Sequence, residues 1–416
     1  MPFNLDTVRA AFPSLALLDD GKRRIYFDNP AGTQVPSRVL DRMRDSMLHA
    51  NANLGGAFST SAAAERIVQN ARQAMQDFLN AESTDEIVFG QNMTSLTLQL
   101  SRSIGRELAA GDEIVVSRMD HDANVEPWLL MARDHGLIVR WLPFNTQTFE
   151  FDEDALDKVL SARTRLVCVT GASNLTGTLN DLESLCGKAR KHGAWTYIDA
   201  VQSAPHVVTD VQALGCDFLT CSAYKFFGPH QGILYGRRAV LERLTPYKVR
   251  PAPDTLPWCF ETGTQSQESM AGTAAAVDYF AWVGRDMAGE SGSRREQLTA
   301  GMRLLLDYEK TLSARLIEGM SRIEGLTILG ISDLDALDRR VPTVAFRHAR
   351  KAPRDIASAL AADNIFVWSG HNYALEAARA LGILETGGAV RVGPVHYNSV
   401  AEIDEFLFAL EQILSA

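Results

Sequence analysis

The sequence predicts an α/β protein, with a large domain on a mainly parallel sheet followed by a smaller α+β C-terminal domain. Three observations predict it. Between about residues 85 and 236, short β-rich runs alternate with amphipathic helical stretches, the pattern of strands joined by helical crossovers. Polar and turn-forming residues gather just after the apolar runs, where open sheets of this kind hold ligands outside the carboxyl ends of their strands. Beyond about residue 290 the charge density rises, a helical pattern takes over and only a few strand-like runs follow. The chain has 416 residues, 46% hydrophobic and 22% charged, which is enough for the core of one large unit and one smaller one.

In order, the strand candidates are "EIVF" (86–89), "EIVVS" (113–117), "LIVRWLPF" (137–144), "RLVCVT" (165–170), "WTYID" (195–199), "DFLTCS" (217–222) and "GILYG" (232–236). Between them lie helical patterns such as Leu182, Leu185, Cys186 and Ala189, an apolar stripe in a segment rich in Lys and Arg. The second part should hold a helix near 290–320 and strands in "VPTVAFRH" (341–348) and "GGAVRVGPVHY" (387–397). A terminal amphipathic helix is expected from Ile403, Phe406, Leu407, Leu410 and Ile413, which recur at helical spacing. The expected division is an N-terminal segment 1–20 packing on the small domain, a large domain 21–285 and a C-terminal domain 286–416.

A formal net charge of -10 leaves no electrostatic footprint for nucleic acid or an anionic membrane. Small molecules and other proteins are the partners to expect. The N-terminal stretch lacks a basic start followed by an apolar run, and no later segment is apolar for long enough to span a bilayer, so a soluble cytoplasmic protein is expected. The five cysteines (168, 186, 216, 221 and 259) include no CxxC pair and no interleaved histidines, which argues against a structural metal site and a disulfide framework. Cys168, Cys216 and Cys221 fall in or beside apolar runs, as small core residues do.

The strand ends carry the chemistry. After "EIVF" come Asn92, Met93, Thr94 and Ser95 before an apolar helical run, a helix entrance able to take an anion. After "EIVVS" come Asp120 and His121, after "RLVCVT" comes Asn174, and after "WTYI" come Asp199, Gln202 and His206. After "DFLTC" come Ser222, Tyr224 and Lys225. Each alone has a plain structural reading as a cap, turn or surface residue. A lysine where a buried strand meets a loop is either a stem with its ammonium reaching water or a desolvated amine suited to Schiff-base chemistry. Arg391, alternating with Val390 and Val392, is either an exposed cation or a carboxylate clamp, and its fixed fork suits the second role.

Together, an imine-forming lysine, a carboxylate, an imidazole to lie against a ring and a helix entrance for phosphate are the parts that pyridoxal 5'-phosphate requires. In that arrangement Asp199 would keep the pyridine nitrogen protonated, and Lys225, once freed by the substrate, would act as the general base. The ordered motifs "YFDNPAGTQVP" (26–36), "DHDANVEPW" (120–128), "SNLTGT" (173–178), "DAVQSAPH" (199–206), "SAYKFFGPHQGILYGR" (222–237), "ETGTQ" (261–265) and "RVGPVHYNSVAEID" (391–404) cover nearly the whole chain. The chain resembles the class V aminotransferase family of fold-type I pyridoxal-phosphate enzymes, and within it the cysteine desulfurase-like branch. That resemblance implies that Lys225 bears the cofactor, Asp199 pairs with the ring nitrogen and His121 stacks on the ring. It implies that Asn174 and Gln202 contact the ring hydroxyl, and that Asn92, Met93, Thr94, Ser222 and a partner subunit's copy of Thr264 hold the phosphate. Arg391, with Asn174, would bind the substrate. A homodimer sharing its active sites is implied as well, and a sulfur-acceptor protein is left open.

The chain also departs from the branch. Tyr373 in "WSGHNYALE" (368–376) falls where the desulfurases carry their mobile cysteine, and no cysteine follows Cys259. Tyr224 stands in place of the usual histidine before the lysine, and its hydroxyl could reach the phosphate. Met93 falls where many relatives have threonine. The reading is an enzyme that cleaves a C–S bond of a small amino acid by β-elimination, since that route requires no thiolate on the protein. Transamination and epimerisation are the alternatives within the class, and a catalytically silent scaffold is the alternative outside it.

Overall fold

The computed structural model describes residues 3–415. Its large unit is a seven-stranded sheet of β1 (Ile87–Gly90), β2 (Glu113–Ser117), β3 (Ile138–Leu142), β4 (Thr164–Thr170), β5 (Trp195–Asp199), β6 (Phe218–Ser222) and β7 (Gly232–Gly236), in the spatial order β1-β7-β6-β5-β4-β2-β3. Strands β2 to β6 pair in parallel, whereas β7 is antiparallel to both β1 and β6. The period-two pattern sorts side chains onto two covered faces. Ile87, Phe89 and Val115 enter one core, while Val88, Ile114 and Val116 enter the other.

Helices α1 (Ser37–His49), α2 (Ser59–Leu79) and α4 (Gln267–Asp286) lie on the first face, and α3 (Met93–Gly105) covers the second with Leu96, Leu100 and Ile104. The expected stripe at Leu185, Cys186 and Ala189 is buried in the helix Leu182–Lys191. Helix α5 (Arg294–Ser321) opens on a capping box of Ser293 and Glu296. At 1.5 Å per residue it is about 42 Å long, and it serves both cores. Leu298, Met302 and Leu305 join that of the large sheet, and Leu312, Leu316 and Met320 that of the C-terminal unit.

The C-terminal sheet is antiparallel, with β8 (Leu326–Leu329), β9 (Val344–His348), β10 (Trp368–Gly370) and β11 (Ala389–Val392) in the order β8-β9-β11-β10. The expected runs 341–348 and 387–397 thus shorten to β9 and β11; after β11 the pairing passes to a single bridge between Gly393 and Asp28, and the chain turns at His396 and Tyr397. Strands β8 and β10 were not expected, being too short to show a period. Helix α6 (Val400–Ser415) buries Ile403, Phe406, Leu407 and Leu410, but Leu414 rather than Ile413 completes the buried stripe. At the other end of the chain, Val8 and Phe12 join the core of the large sheet, while Ile25 and Phe27 join that of the C-terminal unit. Among the described residues no helix is long and apolar enough to cross a membrane, and no group of three or more His, Cys, Asp or Glu gathers as a metal site would.

Glu309, in the middle of α5, is only 1% exposed. His206 Nδ1 lies 2.8 Å from its Oε2, and the backbone N–H and Nδ1 of His396 both lie 3.1 Å from Oε1. Tyr279 closes the chain with its hydroxyl 2.9 Å from His396 Nε2. His206, which the sequence places among the polar residues at the strand ends, therefore belongs to this network and not to the cavity described below. A buried carboxylate requires such partners. Burial acts to raise its pKa, but the two imidazoles outweigh burial and bring it down to about 2.

Removing Glu309 leaves two buried imidazoles without their acceptor, so Glu309→Ala is expected to cost about 3–5 kcal/mol, read as a fall in the urea midpoint, with Glu309→Gln costing less. Because the folded carboxyl sits below its ordinary value of 4.5, its contribution is complete above about pH 4.5 and is lost as the pH falls toward 2. The Gln variant should lack that part of the acid dependence.

Candidate active site

A cavity of about 640 Å³ opens at the carboxyl ends of β2, β4, β5 and β6. From the entrance of α3 come Asn92, Met93 and Thr94, from the loop after β2 His121, and from the loop after β4 Asn174. Asp199, Gln202, Ser222, Tyr224 and Lys225 follow β5 and β6, and Arg391 enters from β11. Thr264 is the one expected residue that the fold does not bring here. It lies on a separate surface cavity with Leu54, Val249 and Trp258.

At the α3 end, Asn92 Oδ1 accepts the Ser95 N–H at 2.9 Å, a side-chain cap, and Ser222 Oγ accepts the Met93 N–H at 3.0 Å. These satisfy two of the N–H groups that a helix entrance leaves open. The strand β7 lies against this entrance, since a Cβ on Gly232 would fall 2.4 Å from the Asn92 carbonyl carbon. Only glycine fits there.

Lys225 donates from Nζ to the carbonyl oxygens of Pro30 and Ala31 at 2.5 and 2.9 Å. The same "NPAGT" segment is laced to the lysine turn, with the Thr33 N–H on the Tyr224 carbonyl and the Phe227 N–H on Thr33 Oγ1 at 2.9 Å. Burial, helped by the nearby Arg391 guanidinium and opposed by Asp28 and Asp199, brings the amine down to about 7. Asp199 accepts the Val201 N–H at 2.8 Å, and burial raises its carboxyl to about 6. Burial likewise lowers His121 to about 4, and its Nδ1 accepts the Ala123 N–H at 3.0 Å, so the ring is neutral. The loop carrying His121 is pinned by the preceding residue, Asp120, whose carboxyl meets Ser117, the Asn124 amide at 2.6 Å and the Thr170 N–H at 3.1 Å.

Arg391 is 4% exposed, which decides between its two sequence readings: it is a buried cation that faces the cavity. Its Nη1 donates to the Asn174 carbonyl at 2.9 Å and its Nη2 lies 3.5 Å from Asp28 Oδ1. The Asn174 amide nitrogen donates to the Asn372 carbonyl at 2.6 Å, and that of Gln202 to the Pro30 carbonyl at 2.8 Å. Asn174 Oδ1, Asn372 Oδ1 and Arg391 Nε are buried with no hydrogen-bond partner in the protein. Three such atoms around one cavity call for a polar ligand, and a phosphorylated heteroaromatic ring together with an amino acid fits them. Asp28, Pro30, Ala31, His230, Trp368 and Asn372 were not singled out in sequence. The string "YFDNPAGTQVP" held the first three, but nothing local shows that it wraps the lysine.

An amine held near 7 is neutral above that pH, whereas an ordinary lysine is protonated until about 10.5. In the protein stripped of cofactor, acylation of Lys225 by an amine-reactive reagent, followed by peptide mass spectrometry, is expected to reach half its maximal rate near pH 7. A midpoint near that of surface lysines would contradict this desolvation.

Comparison with known proteins places the whole chain in one family. The family model for aminotransferase class V matches residues 25–406. A cysteine desulfurase from Yersinia pestis (strain Pestoides F) is 30% identical over 431 residues, with 99% of each chain covered. Among solved structures, the cysteine desulfurase CsdA from Escherichia coli has a TM-score of 0.85 at 25% identity, covering 100% of this chain and 99% of that one. A cysteine desulfurase from Thermococcus onnurineus NA1 has a TM-score of 0.87 at 27% identity, with 100% of both chains covered. With its sheet, its cavity at the strand ends and these full-length similarities, the chain belongs to the class V aminotransferase family of pyridoxal-phosphate-dependent enzymes.

Proposed function

We propose that this enzyme binds pyridoxal phosphate in the 640 Å³ cavity and cleaves the Cβ–S bond of a small sulfur-containing amino acid by β-elimination, without passing sulfur to a cysteine of its own. The observation that carries the reading is at the cavity mouth. Tyr373 stands there, 64% exposed and stacked near His121 at 5.6 Å between ring centroids. All five cysteines are buried, and none lines the cavity.

Bound in the cavity, pyridoxal phosphate supplies the electron sink for the pair left at the substrate α-carbon. The entrance of α3 with Asn92, Met93 and Thr94, joined by Ser222 and Tyr224, would hold its phosphate. Asp199 would pair with the pyridine nitrogen, the neutral His121 ring would lie against the pyridine, and Asn174 and Gln202 would meet the ring hydroxyl. Arg391 and Asn174 would orient the substrate through its carboxylate. Lys225 Nζ would take the α-proton, and the Cβ–S electrons would leave with sulfur. The proton held on Lys225 then serves the departing sulfur, and the 2-aminoacrylate left behind hydrolyses to pyruvate and ammonia. An amine near pKa 7 suits both halves of that exchange.

The active site would be completed in a homodimer. Thr264 lies away from its own chain's cavity, and Met47, Leu48 and Phe58 leave large apolar surfaces exposed that a second copy would cover.

The purified protein is expected to be yellow and to release sulfide and pyruvate in equal amounts from cysteine; from cystine it should release pyruvate with thiocysteine, which gives sulfide only when a thiol is added as reductant. Conversion to the pyridoxamine form without sulfide would make it an aminotransferase, and a colourless, inactive protein would make it a scaffold. Lys225→Ala should lower turnover by about 10²–10⁴-fold or more, and Asp199→Ala should keep some cofactor bound but lose most activity. Tyr373→Cys tests the mouth: a protein persulfide formed only in that variant is the expected result, and its absence would mean that the surrounding loop has diverged too.

A further inference from the structure

The cavity wall holds an imidazole that the reading above does not use. His230 is exposed at the rim, in the short loop between the lysine turn and β7. Its ring lies 4.9 Å from that of Tyr224 with an interplanar angle of 17°, a parallel stack. Both rings line the same cavity as Asn92, Thr94 and Ser222. The loop is tied down on either side of them. The Gln231 side chain donates to the Gly90 carbonyl at 2.5 Å, and the Gln231 carbonyl accepts the Ala223 N–H at 2.8 Å. Gly232 pairs with Gly90 on one side and Ser222 on the other, and its bare α-carbon is pressed on Asn92. His230 is thus placed beside the helix entrance and not at the substrate end.

The other cations of the wall are committed elsewhere. Lys225 is held by the Pro30 and Ala31 carbonyls, and Arg391 by the Asn174 carbonyl and Asp28. His121 is a neutral acceptor of the Ala123 N–H. The phosphate end otherwise offers hydroxyls and N–H groups, which can bond a dianion but do not neutralise it.

We propose that His230, steadied by its stack on Tyr224, is the cationic side chain of the phosphate subsite, binding the phosphate monoester of the cofactor beside the entrance of α3. This rests on the cofactor reading given above. A phosphate dianion next to an imidazole favours the protonated ring. The contact is therefore stronger in acid than in base. The other titratable groups around the cavity are Tyr224 and Lys225 on the lysine turn, Asp199 after β5, His121 after β2, Arg391 on β11 and Asp28. A variant at His230 leaves all of them in place.

The test uses the full-length chain stripped of cofactor and titrated with pyridoxal phosphate, with pyridoxal lacking the phosphate, and with inorganic phosphate as competitor. Wild type, His230→Asn and His230→Lys are compared at about pH 6 and about pH 9, on either side of imidazole titration. His230→Asn is expected to raise the pyridoxal phosphate Kd about tenfold at the lower pH, the size of one charge-assisted bond. It should also reduce the difference in pH dependence between pyridoxal phosphate and pyridoxal, weaken phosphate competition and leave pyridoxal binding unchanged. His230→Lys should keep tight binding at both pH values. If His230→Asn binds pyridoxal phosphate like the wild type, or weakens pyridoxal and pyridoxal phosphate equally, the proposal fails while the cofactor reading stands. If the wild type takes up no pyridoxal phosphate at all, both fail.

Discussion

One buried carboxylate holds three distant parts of this chain together. Glu309 sits inside α5 and can be ionised there only because His206, from the segment after β5, and His396, from the turn after β11, both reach it. The requirement reaches the active site. The His396 ring packs at an edge-to-face angle on Phe227 with centroids 4.6 Å apart, and Phe227 follows two residues after Lys225 in the turn that starts at Ala223. Phe12, from the N-terminal segment, packs against Phe227, Tyr279 and Tyr397 in the same cluster. The interaction that fixes the C-terminal unit on the large sheet therefore also fixes the floor under the lysine.

Above that floor, the electrostatics of the cavity follow from water being kept away from groups of both signs. Burial is the largest influence on Lys225, Asp199, His121 and Asp28, and it moves each toward its neutral form. The lysine is left with carbonyl oxygens as its hydrogen-bond partners, and these do not oppose loss of its proton as a bonded carboxylate would. Arg391, which stays charged, is held by one carbonyl and by a longer contact to Asp28, with Nε unpartnered. That leaves a planar donor open to a carboxylate from outside. In the proposed reaction, Lys225 would act as a base that can be neutral near pH 7, and Arg391 would offer its spare donors to the substrate.

The large sheet was legible because its signals are local. Apolar runs of strand length, the alternation that sends Val88 one way and Ile87 and Phe89 the other, and the cap at Asn92 all operate within a few residues. The residues after each strand were legible as a site for the same reason, since a parallel sheet places every carboxyl end on one side. Strands β8 and β10 were hidden because three or four residues show no period, and Leu414 replaced Ile413 because packing on the C-terminal sheet chose the helix face.

By itself, then, the sequence determined the α/β architecture, the line of polar residues at the strand ends and a tyrosine at position 373 with no cysteine after Cys259, all of which depend on residue type and near neighbours. Only the tertiary structure decided that His206 serves Glu309 rather than the cavity, that Asp28 faces Arg391, that the "NPAGT" segment roofs Lys225 and that His230 stacks on Tyr224. The first three join residues about a hundred or more positions apart, and the stack depends on a turn held by β1 and β6. Such contacts are set by how whole layers close on one another, and no short stretch of chain encodes them.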